Sequence, residues 1–259
     1  MSEAPVLSLR GISKRFGAVQ ALSEFDLDVH PGEVVALVGD NGAGKSTAVK
    51  AIAGVNPPDE GVITWEGRPV TVHRPHDAQS LGIATVYQDL ALCDNLDVVG
   101  NLFLGRELKR WGVLDEVGME QRSRELLDTL SIRIPSVRIP VASLSGGQRQ
   151  TVAIARSLIG EPKVVILDEP TAALGVEQTA EVLDLVERLR EQRLGTILIS
   201  HNMEDVMAVA DRVAVLRLGR NNGFFDRRST TTEEIISAIT GASDSAVTRR
   251  QARKREEER

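Results

Sequence analysis

Five apolar residues, Val34 to Val38, run without a break into Gly39-Asp-Asn-Gly-Ala-Gly-Lys-Ser46. No other stretch limits the possible folds as much. A short, uninterrupted apolar run reads as a strand buried on both faces, and such strands sit in parallel sheets covered by helices. The glycine loop then turns the chain into a helix, predicted from about Lys45 to Ala53 with Gly54 as its stop. At average residue usage a G-x4-G-K-[ST] match arises by accident in roughly 1% of chains this long. A plain surface turn is therefore a poor rival. Alternating strand and helix patterns around this unit predict an α/β fold with a mostly parallel sheet.

Upstream, Val6 to Ile12 and Leu22 to Val29 read as strands. In the second, Phe25, Leu27 and Val29 alternate with Asp26 and Asp28, the period of a half-exposed sheet. His30 to Glu33 is a turn, and Val62 to Trp65 with Val70 to Val72 form a hairpin around Glu66-Gly67. Ile83 to Tyr87 is a further strand. From about Asp89 to Gly160 the pattern is helical, with helices over Met119 to Leu130 and Gln148 to Leu158. Val164 to Leu167 is an apolar strand, followed by a helix with Val182, Leu185, Val186 and Leu189 on one face, closed by Gly195. Thr196 to Ser200 is a strand, and Arg212 to Leu218 with Gly223 to Phe225 a last hairpin. The expected organisation is one domain over 1–242, with a helical subdomain over about 89–160. The segment 243–259 lacks apolar periodicity and is predicted to be a charged, flexible tail, in which Glu256 to Glu258 offset attraction to anionic headgroups.

Composition excludes some functions. No apolar run is much longer than Val34 to Val38, whereas a membrane span needs about twenty residues. Met1-Ser-Glu-Ala-Pro lacks the basic-then-apolar order of a signal segment. The chain is thus expected to act at a membrane only through a partner. A net charge of −6 argues against broad nucleic-acid binding. The single cysteine, Cys93, allows no intrachain disulfide and reads as a packing residue in a reducing compartment.

The chemistry concentrates in three motifs. Backbone N–H groups of Gly39, Asp40, Asn41, Gly42, Ala43, Gly44 and Lys45, with the helix start at Ser46 and Thr47, can cradle the phosphates of ATP. Gly42 and Gly44 let the main chain come close. Lys45 offers a point charge to the β- and γ-phosphates, and the Ser46 hydroxyl is a candidate Mg²⁺ ligand. Asp168, at a strand end, is placed to hold Mg²⁺ through water, and Glu169 to polarise the attacking water. Such a pair could also merely cap a helix, which Pro170-Thr171 would suit. The third motif is Leu144-Ser-Gly-Gly-Gln148.

Together and in this order, the three motifs resemble the nucleotide-binding subunit of an ATP-binding-cassette (ABC) transporter, over residues 6 to about 240. That resemblance implies that Gln88 touches Mg²⁺ and senses the membrane partner, that His201 contacts the γ-phosphate, and that Phe16 stacks on adenine. It also implies that two cassettes pair head to tail, so that Ser145, Gly146, Gly147 and Gln148 act in trans on the partner's ATP. With one cassette per chain, a homodimer is expected. One departure stands out: the loop Ala172-Ala-Leu-Gly175 ends in Gly where the family usually has Asp, which puts strong coupling between the two sites in doubt. Gly82 to Leu92, Asn101 to Glu107 and Ala172 to Val176 resemble importers of monosaccharides, most of which are tandem cassettes of about twice this length. The implied protein is a peripheral ATPase at the cytoplasmic face of the cell membrane. It would work with integral-membrane permease subunits and, indirectly, an extracytoplasmic sugar-binding protein, and not with nucleic acid. An importer ATPase for another solute, such as amino acids, is the nearer alternative. A soluble ABC ATPase acting on ribosomes or DNA is the farther one, since its charged linker or long coiled coil is not found here.

Overall fold

Strands that are apolar on both faces need cover on both faces, and this requirement sets the architecture. The computed structural model describes residues 3–242, so the tail predicted over 243–259 lies outside the described residues. The chain opens with β1 (Leu7–Phe16), β2 (Val19–Val29), β3 (Val34–Val38) and α1 (Lys45–Ile52). Next come β4 (Glu60–Trp65), β5 (Arg68–Val70), α2 (Pro75–Leu81) and β6 (Ile83–Val86). The middle holds α3 (Val98–Phe103), β7 (Lys109–Arg110), β8 (Val113–Leu114), α4 (Glu116–Thr129) and α5 (Gly146–Leu158). The remainder is β9 (Val164–Asp168), α6 (Val176–Glu191), β10 (Gly195–Ile199), α7 (Met203–Val209), β11 (Arg212–Arg217), β12 (Arg220–Asp226) and α8 (Thr232–Thr240).

The six-stranded sheet has the order β12-β11-β3-β10-β9-β6. Its pairs are parallel except β11 with β12. Side chains alternate across it. Val34, Ala36 and Val38 join Val165, Leu167 and Leu198 in a core shared with α5 and α6, while Val35 and Leu37 join Ile166, Ile197 and Ile199 in a core shared with α1 and the second sheet. That second sheet is antiparallel, four-stranded, and ordered β2-β1-β4-β5. No helix among the described residues is long and apolar enough to cross a membrane.

Several segments differ from the sequence reading. β1 and β2 reach farther than expected and meet at a two-residue turn, with Phe16 paired to Val19. α6 stops at Glu191, and Gly195 already belongs to β10. The stretch read as helical from 89 contains the hairpin β7–β8 and long irregular connections. One polar side chain organises part of it. Fully buried Asn101 donates from Nδ2 to the carbonyls of Cys93, Leu96 and Asp97, and accepts the Cys93 N–H at 2.7 Å. A loop held by one amide leaves no hydrophobic period to read.

Candidate active site

Parallel strands point their carboxyl ends to one edge, where ligand sites of open α/β sheets form. Here β3 delivers the glycine loop, β9 ends in Asp168, β10 leads to His201 and β6 to Gln88. Because β10 lies between β3 and β9, Asp168 faces the loop across an intervening strand. A cleft of about 580 Å³ forms there, lined by residues 40–47, Gln88, Asp168 and Glu169. The sequence reading missed Val19, Gln20, Ala21, Leu218 and Gly219, which complete its wall. They come from two hairpins whose place beside the loop is set by tertiary packing, which no local motif announces.

The loop's backbone is fixed by close approaches. Gly39 has φ 155°, and a Cβ there would stand 2.1 Å from the Leu216 carbonyl oxygen. Gly44 has φ 109°, and its Cβ would stand 2.7 Å from the Ala21 carbonyl oxygen. Only glycine fits either place. Gly44 is also the N-cap of α1 and supplies no capping side chain, so the first amides of the helix are left for an anion. Lys45 Nζ folds over the loop, donating to the carbonyls of Gly39 at 2.6 Å and Asp40 at 3.1 Å. Phe16 is not part of the cleft wall. It is half-exposed one hairpin turn away from Val19, with the Lys14 ammonium 5.7 Å from its ring centroid.

The acidic pair is asymmetric. Burial pushes the Asp168 carboxyl up from its ordinary pKa, and the Glu169 charge adds to this, while Lys45 and Lys50 pull it back. Glu169 occupies the left-handed region at φ 52°, a strain of about 1 kcal/mol for a residue with a Cβ. Its N–H donates to the Ile199 carbonyl at 2.9 Å, and its Oε2 lies 2.8 Å from His201 Nδ1. His201 thus reaches the cleft only through the Glu169 carboxylate and does not line it itself. Behind the pair, nearly buried Asp205 accepts from Thr171 Oγ1 at 2.6 Å and from Asn202 Nδ2 at 3.0 Å. One carboxylate therefore ties the segment after Glu169 to the segment after His201. The sequence held one clue to it, since Asn202 followed by Glu204 and Asp205 is a helix-start pattern.

Ser145, Gly146, Gly147 and Gln148 do not line the cleft. Ser145 is the N-cap of α5. Its Oγ accepts the Gln148 N–H at 3.2 Å, and Gln148 Oε1 accepts the Ser145 N–H at 3.1 Å. Gly147 has a packing role as well, since a Cβ there would stand 2.9 Å from Gln178 Cβ on α6. The two glycine motifs thus remain apart within one chain.

A family model described as ABC transporter matches residues 22–172. The chain belongs to the ABC transporter family. The cassette is accordingly an ATP-binding enzyme that hydrolyses ATP. It is similar to the fructose import ATP-binding protein FrcA of Rhizobium meliloti, at 45% identity over 94% of this chain and 97% of that protein. The xylose/arabinose import ATP-binding protein XylG of Sulfolobus acidocaldarius is 45% identical over 91% of this chain and 94% of its own length. The ribose import ATP-binding protein RbsA 1 of Rubrobacter xylanophilus is 43% identical over 92% of the cassette, which spans only 48% of that protein. Among solved structures, an ATP-binding cassette of an ABC transporter in its ADP conformation superposes with a TM-score of 0.79 at 26% identity, covering 92% of this chain and 96% of that one.

Proposed function

We propose that this cassette powers a binding-protein-dependent importer of a monosaccharide from the cytoplasmic face of the cell membrane. The observation that carries the proposal is identity of 45% along nearly the whole length of two proteins named for fructose and for xylose/arabinose import. The working unit is a homodimer bound to permease subunits, with a sugar-binding protein beyond the membrane. The cassette proper is 1–242, with its helical part over about 89–160.

The site geometry supports a division of labour. The amides of residues 39–47 hold the phosphates, and Lys45 leaves the loop carbonyls for the β- and γ-phosphate oxygens. Ser46, Gln88 and Asp168 are hard oxygen donors on one cleft, and a partly buried carboxylate beside Glu169 suits a cation. These residues would hold Mg²⁺, which when bound neutralises charge on the β- and γ-phosphates. Glu169 accepts a proton from the attacking water, and His201 orients that carboxylate and reaches the γ-phosphate. Phe16 stacks on adenine. Ser145, Gly146, Gly147 and the Gln148 helix start donate to the ATP held by the partner copy.

The test is recovery of the cassette from gently solubilised native membranes, with identification of what accompanies it. A polytopic permease and a monosaccharide-binding protein are expected. An amino-acid-binding protein in their place would overturn the sugar assignment. Recovery only with ribosomes or DNA would overturn transport while leaving the ATPase chemistry standing.

A further inference from the structure

The hairpin β7–β8 is out of keeping with the rest of the cassette. It pairs Lys109 with Leu114 and Arg110 with Val113 around the two-residue turn Trp111-Gly112. Both turn residues have positive φ, 57° and 82°. Turns of this type favour Asn-Gly or Asp-Gly, and a bulky side chain in the left-handed region is strained. The indole is also 94% exposed, and Val113, Leu114 and Val117 beside it are exposed as well. Strain and an unburied aromatic fall on the same residue, and nothing among the described residues covers it.

Charge at the tip is arranged to match. Lys109 and Arg110 lead into Trp111 on one strand, and neither forms an ion pair among the described residues. The neighbouring acids are turned to local work. Glu107 accepts the Gly105 N–H, and Asp115 caps the start of α4 through the Gly118 N–H. Glu116 lies 3.9 Å from Arg138. Lys109 is close enough to Glu107 to help hold its carboxyl below the usual range, but that carboxyl is held mainly by backbone N–H groups. The tip itself, 109–114, therefore carries two positive charges beside exposed apolar side chains, with the acids Glu107, Asp115 and Glu116 behind it.

We propose that the hairpin tip, Lys109 to Leu114, contacts an anionic lipid headgroup layer, with the Trp111 indole entering the interface. The inference rests on the reading that this cassette works against a membrane. A convex, two-residue tip offers no hollow for a protein side chain, whereas an exposed amphipathic ring next to Lys and Arg is the combination that settles at a headgroup boundary. One such contact binds weakly alone. It orients a cassette that permease subunits already hold.

The chain carries its own probe. Of its two tryptophans, Trp65 is buried and Trp111 is exposed, so a change in emission reports the tip. The full-length chain is titrated with vesicles of phosphatidylglycerol and phosphatidylcholine, then with phosphatidylcholine alone, each with and without acyl-brominated lipid. A blue shift and quenching on anionic vesicles are expected, several-fold weaker on phosphatidylcholine. Trp111→Ala, and Trp111→Asn, which the turn tolerates better, should abolish them with basal ATPase unchanged. Lys109→Glu with Arg110→Glu should weaken vesicle binding several-fold. Unchanged emission on every vesicle and on reconstitution with the permease would overturn the proposal, and a blue shift on reconstitution without quenching by the brominated lipid would place a protein there instead. Vesicle binding that survives Trp111→Ala undiminished would also overturn it, assigning the attraction to another segment. If Trp111→Ala still recovers the permease from membranes, failure of the lipid contact leaves the importer reading intact.

Discussion

The glycine loop after β3 and the Leu144–Gln148 motif both end at an exposed helix start beside glycines, yet they are built differently. At the loop, α1 begins on Gly44 with no capping side chain, and Gly39 and Gly44 are pressed against carbonyl oxygens that exclude a Cβ. Walls from two hairpins enclose the space in front. At the second motif, α5 is capped by its own Ser145 and Gln148, and its two glycines do not have positive φ. A Cβ on Gly146 would come no closer than 3.4 Å to Leu174. The first opens its helix start, without a side-chain cap, onto an enclosed cleft. The second closes its helix start with a reciprocal pair of bonds between Ser145 and Gln148. This asymmetry suits sites assembled between two copies.

The largest contrast should come from adding one methyl group in each place in turn. Gly44→Ala meets both a left-handed backbone and a carbonyl, and should cost roughly 3 kcal/mol of stability and abolish ATP binding. Gly146→Ala meets neither and should change stability by less than about 0.5 kcal/mol, with ATP binding by the isolated chain intact. Thermal unfolding and nucleotide titration measure both. Equal losses at the two positions would erase the distinction.

Next in size is a mixing experiment. Lys45→Ala disables the loop and Ser145→Arg the signature, so each variant alone should lose nearly all hydrolysis. If the halves meet in trans, an equal mixture should recover about a quarter of wild-type turnover, because half the dimers are mixed and each keeps one intact site. No recovery, with mixed dimers present, would mean that the halves do not combine across the dimer. Glu169→Gln, which keeps both halves, should bind ATP normally and slow hydrolysis by about 10²-fold or more. Wild-type turnover would remove Glu169 as the base.

A smaller effect is expected at Asp205, behind the acidic pair. Asp205→Asn exchanges an acceptor for a donor opposite Asn202 Nδ2 or Thr171 Oγ1, and should cost about 1–2 kcal/mol. If Asp205 holds the Glu169 and His201 segments together, turnover should fall while ATP affinity stays constant. Unchanged turnover in a folded variant would limit Asp205 to stability.

The two regions were also unequally legible. Val34 to Val38 and Val164 to Leu167 announced a two-sided sheet because both faces are apolar, and the structure splits their side chains between two cores accordingly. The loop could be read because its glycines answer a local backbone demand. The connections around α3 could not, because Asn101 orders them through hydrogen bonds that leave no period. The helix α8 was legible but overlooked: Thr231 and Glu234 form a capping box ahead of Ile235. That the cleft needs Val19 to Ala21 and Leu218 is a matter of how two hairpins pack, which no residue among them encodes alone.

Gly175 offers the finest test of the comparison, because it sits where the two regions could communicate. It is the N-cap of α6 and supplies no side-chain cap; its N–H makes only a long bond, 3.4 Å, to Gln178 Oε1. Its neighbour Leu174 lies beside the signature glycine Gly146. Nothing stands within 4 Å of a Cβ built on Gly175, and its φ of −75° suits any residue. Gly175→Asp should therefore fit without strain and cap α6, a gain of a few tenths of a kcal/mol over glycine. That corresponds to a rise in Tm of about 1 °C for a chain of this size. An exposed carboxylate beside the signature could also reach the partner copy, so the dependence of hydrolysis on ATP concentration should steepen. A higher Tm with no change in steepness would mean that a carboxylate at this position serves the helix alone, and that the two half-sites are coupled by other residues.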